Sequence, residues 1–333
     1  MPGEKTVSRK GEHVNTVLQK DVGFATSTGF EKMQFLHYAL PELDYHKLDI
    51  KTSFLGKNLR APFFVTGMTG GYDDAEKINT EIAEACEAEG IAFALGSQRA
   101  MIEKPELLKT YHVRRVAPSI FLAGNLGGFQ AKKYTPMQVQ EMLDAIEADA
   151  LCIHLNPSQE LTQPEGDCDW TGVLKAIENL CAELTLPVIA KEVGGGINGE
   201  VAKELAKAGV KALDVSGSGG TSWVAVEHHR GGRSGEVFWN WGIPTAEALR
   251  QCSESVKVPL ISAGGVRSGL DVAKGIRLGA SLGGAASPFI KAQQTGHVQG
   301  VVDYIRKWKH ELKATMLLTR SKDLKALGKA KLI

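Results

Sequence analysis

PVIAKEVGGGINGEVAKELAKAGVKALDVS (187–216) reads as a complete strand–helix–strand unit. The apolar run at 187–193 ends in three glycines. A helical pattern follows over 198–208, with the Asn198 side chain available to cap open N–H groups, and Gly209 closes it before the next apolar run at 210–216. The same order returns in PLISAGGVRSGLDVAKGIRLGASLGGAAS (259–287), where Ser268 is the cap. Gly195 and Gly209 stand as far apart as Gly265 and Gly279, and Ala202 and Ala206 correspond to Val272 and Ile276. Strands that alternate with helices in this way pair in parallel.

Outward from this repeat, apolar runs at 62–67, 91–96, 119–125 and 150–156 raise the number of strands to eight. Helical patterns lie between most of them, at 74–89, 136–147, 170–184 and 268–278. Eight units predict an α/β fold of the TIM (β/α)8 barrel type. A doubly wound sheet is the competitor, but it rarely strings so many regular units together without a change in strand order. The barrel takes residues 61–333 as one domain, preceded by an arm and cap segment at 1–60. Residues 1–20 carry Arg9, Lys10 and His13 with few apolar anchors and read as a mobile basic arm. SFLGKNL (53–59) reads as a hairpin within a cap or bottom plug. The last helical pattern (Val298, Val301, Ile305, Trp308, Leu312) suits an eighth barrel helix or a subunit contact.

The 333 residues are 43% hydrophobic with a net charge of +1, which gives no global electrostatic case for nucleic acid or membrane binding. The five cysteines form no CxxC pair, as suits reduced thiols in a cytosolic protein. A polar N-terminus and the lack of any apolar run long enough to span a bilayer imply a soluble, cytoplasmic protein.

Polar residues gather at the C-terminal ends of the strands, where a barrel builds its active site. In ALCIHLNPSQE (150–160) alternation puts Cys152, His154 and Asn156 on one face and Leu151, Ile153 and Leu155 on the other. Pro157 ends the ladder, and Ser158, Gln159 and Glu160 follow in the loop. A turn with capping residues is the plain alternative. AGGVRSG (263–269) and ASPF (286–289) offer two successive turns whose open N–H groups suit a phosphate. Lys191, in an apolar strand, is a candidate Schiff-base amine, buried ion-pair partner or cation beside an anionic ring. With Asn125, Ser97, Asp214, Ser216 and the small residues of SGSGGTSW (216–223), this set suits a flavin mononucleotide (FMN). HLNPSQE lacks the spacing of a zinc site. Glu160 and the Asn156 carbonyl, as hard oxygen ligands, favour Mg²⁺ shared with a substrate phosphate.

RKGEH (9–13), TGMTGG (66–71), GSQR (96–99), GNLG (124–127), HLNPSQE (154–160), KEVGGG (191–196), SGSGGTSW (216–223), WGIPT (241–245) and AGGVRSG (263–269), in this order, resemble type 2 isopentenyl diphosphate isomerase. HLNPSQE and RKGEH are the specific motifs; the phosphate turns are shared by many FMN barrels. The resemblance implies an FMN-dependent barrel that interconverts isopentenyl and dimethylallyl diphosphate, an allylic and homoallylic pair, with NADPH serving only to reduce the flavin. It places Arg9, Lys10, His13, Ser97, Arg99, His154, Asn156 and Gln159 at the substrate, with Gln159 beside the reacting carbons and Lys191 stabilising reduced flavin. Glu160, with Asn156, would hold Mg²⁺. Gly67, Met68, Thr69, Ser97, Asn125, Lys191, Ser216, Thr221, Gly264, Gly265, Val266, Arg267, Ala286 and Ser287 would line the FMN. A homotetramer or homo-octamer is implied as well. The competing functions are an FMN oxidoreductase acting on a hydroxy acid or a dihydropyrimidine, which could recruit His228 or His229, and a non-catalytic flavin or phosphate binder.

Overall fold

Each of the eight apolar runs becomes a strand in the computed structural model, which describes residues 2–333, with side chains from Lys10 onward. After a two-stranded hairpin, β1 (Thr52–Phe54) and β2 (Lys57–Leu59), come β3 (Phe63–Val65), β4 (Ala92–Ala94), β5 (Leu122–Gly127) and β6 (Ala150–Leu155). The series continues with β7 (Val188–Glu192), β8 (Ala212–Asp214), β9 (Leu260–Ser262) and β10 (Leu282–Ala285). β3 to β10 close into a parallel barrel in chain order, with Phe63 of β3 paired to Gly283 of β10. The doubly wound alternative is thereby excluded.

Alternation along β6 divides its residues as the sequence indicates. Cys152 joins the barrel interior, while Leu151 and Ile153 pack outward against the helices. Small residues such as Ala92, Ala94, Ala123 and Ala212 leave room inside that the rings of Phe64 and Phe121 fill. The hairpin turns through Leu55 (φ 46°) and Gly56 (φ 88°), the left-handed pair that a tight hairpin needs. It delivers Phe54 and Leu59 into this interior cluster, with Phe54 edge-on to Phe121 at 5.3 Å. The hairpin is therefore the plug of the barrel.

The helix starts follow their caps. Asn198 Oδ1 accepts from Val201 N at 2.9 Å, and Ser268 Oγ accepts from Asp271 N at 3.1 Å. A long helix after β10 runs Ser287–Leu318, broken at His297 (φ 51°). Val301, Ile305, Trp308 and Leu312 are buried within the same chain, Trp308 edge-on to Phe63, so this stripe closes the barrel wall.

Two expectations are corrected. Residues Pro2–Gln19 form a helix where a mobile arm was expected. Lys10, His13, Val14 and Val17 recur at helical spacing; Val14 is buried in the main core, and Val17 packs with Val22 on Ala225 and Val226. Likewise Pro157 does not lead into a loop. It opens a short helix, Pro157–Thr162, at the first position, where a missing N–H costs nothing. Between β8 and β9 lie two further short helices, Trp223–His229 and Gly235–Phe238.

Candidate active site

The strand ends meet in one cleft, about 1340 Å³ including its open mouth, into which the N-terminal helix also projects. Lys10, His13, Gly67, Met68, Ser97, Arg99, Asn125, His154, Asn156, Gln159 and Glu160 line it on one side. Lys191, Ser216, Thr221, Gly264, Gly265, Val266, Arg267, Ala286 and Ser287 line the other. Of the residues singled out in the sequence, Thr69 stays outside the lining. Its hydroxyl donates to Tyr72 and its carbonyl accepts from Gly96 N, because the chain turns away at Gly70. The Arg9 side chain lies outside the described residues.

Adjacent strands carry their polar residues in register. Gly127 pairs with His154, His154 with Lys191 and Lys191 with Asp214. His154 Nδ1 lies 2.8 Å from Asn125 Oδ1. Lys191, only 5% exposed, donates to the carbonyl of Glu192 at 2.8 Å. Asp214 is fully buried, with Oδ1 held by the N–H and hydroxyl of Ser216. Burial pushes the Asp214 carboxyl up, against the opposing charge of Lys191. The same burial pushes the Cys152 thiol up to about 12, which leaves it inert as a nucleophile.

On the far side, the helix Pro157–Thr162 aims Gln159 across the cleft. Its Nε2 donates to Glu227 Oε1 at 2.8 Å, and His13 Nε2 lies 2.9 Å from the same oxygen. Arg230 meets Glu227 Oε2 at 2.5 Å. Burial alone would raise the Glu227 carboxyl, but His13, Gln159 and Arg230 outweigh it and hold it below the usual range. Sequence reading missed Glu227. The available signal was a carboxylate ending the apolar run WVAV (223–226), which must find partners if buried.

Glu160 accepts from Asn156 Nδ2 at 3.1 Å on one oxygen and from Asp167 N at 2.9 Å on the other. Among the described residues no three His, Cys, Asp or Glu side chains cluster as a metal cage. One fixed carboxylate fits a hard cation that takes its remaining ligands from a phosphate and water, while Asn156 turns its amide N–H, not its carbonyl, toward Glu160.

At the late strands, Gly264 (φ 95°) and Gly265 (φ 74°) need glycine because a Cβ would strike the carbonyls of Gly217 and Gly219. Close packing of two loops therefore already demands glycine at both positions. The turn still leaves the N–H groups of Gly265 and Val266 without an acceptor among the described residues. Ser287 adds the open start of the long helix after β10. These donors, converging on one cleft, fit a phosphate.

Residues 131–333 match the model of the FMN-dependent dehydrogenase family. An isopentenyl-diphosphate delta-isomerase of Pyrococcus horikoshii is 44% identical, over 100% of this chain and 93% of its own. One of Rickettsia felis is also 44% identical, over 98% and 96%. The chain belongs to the FMN-dependent isopentenyl-diphosphate delta-isomerase family. Solved structures extend the fold beyond these isomerases. A mandelate oxidase mutant superposes with a TM-score of 0.69 at 16% identity, covering 100% of this chain and 99% of that one. A flavocytochrome b2 mutant does so with 0.69 at 18%, covering 97% and 82%. That likeness concerns the barrel alone.

Proposed function

We propose that the protein interconverts isopentenyl and dimethylallyl diphosphate by a 1,3-allylic proton shift, with reduced FMN as cofactor and Mg²⁺ on the diphosphate. The observation that carries the reading is the amide of Gln159, held at the mouth by a fully buried carboxylate. A neutral amide fixed in this way orients an alkene and a proton donor without being a strong acid or base itself. Full-length relatives named for this reaction support the same reading.

Lys10, His13, Ser97, Arg99, His154 and Asn156 are read as substrate ligands, and Gln159 as the group beside the reacting carbons. The residues after β9 and β10, with Gly67, Met68, Asn125, Ser216 and Thr221, hold the FMN, and Thr69 stands behind that lining. When bound and reduced, the flavin supplies a proton donor and acceptor with no net redox change. Lys191 places a cation against the negative charge of its reduced ring. Glu160 would hold the metal, with Asn156 as a second ligand only if its amide turned its carbonyl inward, and the diphosphate would supply further oxygens. NADPH as flavin reductant and a cytoplasmic homo-oligomer belong to the same reading; no described helix is long and apolar enough to cross a membrane.

Anaerobic assay with isopentenyl diphosphate and Mg²⁺, with and without reductant, tests this. Isomerisation should appear only after reduction and continue for many turnovers per reducing equivalent. One hydride consumed per product would replace the isomerase with an oxidoreductase, and full activity of the apoprotein would remove the flavin from the reaction.

A further inference from the structure

The glycine pair that ends TGMTGG (66–71) does not touch the cleft, and its reason lies in Tyr111. Gly70 has φ 152°, and a Cβ there would stand 2.1 Å from the Tyr111 ring. Gly71 has φ 81°, and its Cβ would meet the phenol oxygen at 2.6 Å and Lys10 Nζ at 3.0 Å. Thr110 fixes the turn, accepting from Gly71 N on its hydroxyl at 2.9 Å and from Asn79 on its carbonyl at 2.8 Å. The chain has been bent, at two left-handed positions, to admit one phenol.

That phenol is fully buried, and burial pushes it up, so it stays protonated at any physiological pH. It spends its proton on the carbonyl of Ser97 at 2.8 Å. Its lone pair then faces Lys10, whose ammonium donates to it at 2.7 Å and also to the Ser97 carbonyl. Lys10 thus arrives from the N-terminal helix onto the Tyr111 hydroxyl and the Ser97 carbonyl, which fix its position at the cleft.

We propose that Tyr111 is a positioning residue that seats Lys10 in the cleft before a ligand arrives, so that the cation is preorganised for a diphosphate. The proposal rests on the reading of the cleft as a diphosphate site. Preorganisation lowers the ordering cost that a long, flexible side chain otherwise contributes on binding. It acts on ligand affinity and leaves the reacting carbons alone.

Titration of the FMN-loaded enzyme with inorganic diphosphate tests this in four proteins: wild type, Tyr111→Phe, Lys10→Met and the double variant. Phenylalanine keeps the ring in its slot and removes only the hydroxyl. Tyr111→Phe should weaken diphosphate binding about ten-fold, the scale of one charge-assisted hydrogen bond. KM should rise with it, while kcat, melting temperature and bound flavin stay as in the wild type. Lys10→Met should weaken binding at least as far, and the double variant no further than Lys10→Met. Unchanged affinity in Tyr111→Phe, or additive losses in the double variant, overturns the proposal. Lost flavin or early melting in Tyr111→Phe overturns it too, because the hydroxyl would then be structural. Absence of diphosphate binding by the wild type removes its basis. Isomerase activity is read separately, so its failure leaves the titration result standing.

Discussion

Replacing Glu227 with glutamine tests whether the cluster behind the cleft is held by charge. The carboxylate is fully buried and meets Arg230 at 2.5 Å. At that distance, and an effective dielectric of about 20, the gross attraction is about 6–7 kcal/mol. Desolvation offsets much of it, and Arg230 retains Glu12 at 3.0 Å and Glu165 at 3.3 Å. Breaking one side of such a pair should therefore cost about 2–4 kcal/mol. The sign with pH follows from the lowered carboxyl. In the unfolded chain Glu227 titrates near 4.5, and in the folded protein below it. Its contribution is thus fully present above the unfolded value and disappears as pH falls through the folded one. Urea unfolding of the holoenzyme and of Glu227→Gln should show the full deficit at about pH 7 and a smaller one at about pH 3.5. Turnover should also fall, since glutamine leaves one acceptor oxygen for Gln159, His13 and Arg230 to share where the carboxylate offered two. An equal deficit at both pH values, or none at neutral pH, would refute the electrostatic account.

Glu160→Gln should raise the Mg²⁺ concentration needed for turnover and leave the flavin spectrum intact; an unchanged Mg²⁺ titration removes Glu160 from the metal. Lys191→Met should keep the fold but lower the flavin midpoint potential, because a cation beside the reduced ring is lost; spectroelectrochemistry reads the shift. Phe54→Ala opens the barrel floor where the ring is 2% exposed. It should cost about 3–5 kcal/mol in urea unfolding, with KM little changed, as the plug lies at the opposite end from the cleft.

The barrel was legible because each strand announces itself as an apolar run closed by glycine or proline, and because two units repeat at one spacing. The N-terminal helix was not. Its buried stripe joins Val14 and Val17 to Lys10 and His13, and two polar side chains in a hydrophobic pattern lower any apolar signal. Pro157 misled in another way: proline ends a strand and begins a helix equally well, and only the three-dimensional path decides. For the site, side chains on strand ends were found directly, since alternation says which way they face. Glu227 and Tyr111 come from helical and irregular segments and stand behind the cleft, held to its lining residues by tertiary packing that no local pattern encodes. Gly264 and Gly265 were assigned to the right place for an incomplete reason, because close packing of two loops and approach of a phosphate demand the same residue.

The pairing of β3 with β10 makes the barrel a ring with one seam, and the strands on either side of it come from opposite ends of the domain. A ribosome exposes β3 long before it delivers β10, so the edge of β3 must wait, unpaired, for most of synthesis. The donors of Gly265, Val266 and Ser287 flank the last strand to be made. An anion that they grip is available only once the ring is whole, and by mass action it then favours the closed ring over every open precursor. Cofactor capture is in that sense the final step of assembly, and depletion of flavin during growth should reduce the yield of folded protein as well as its activity.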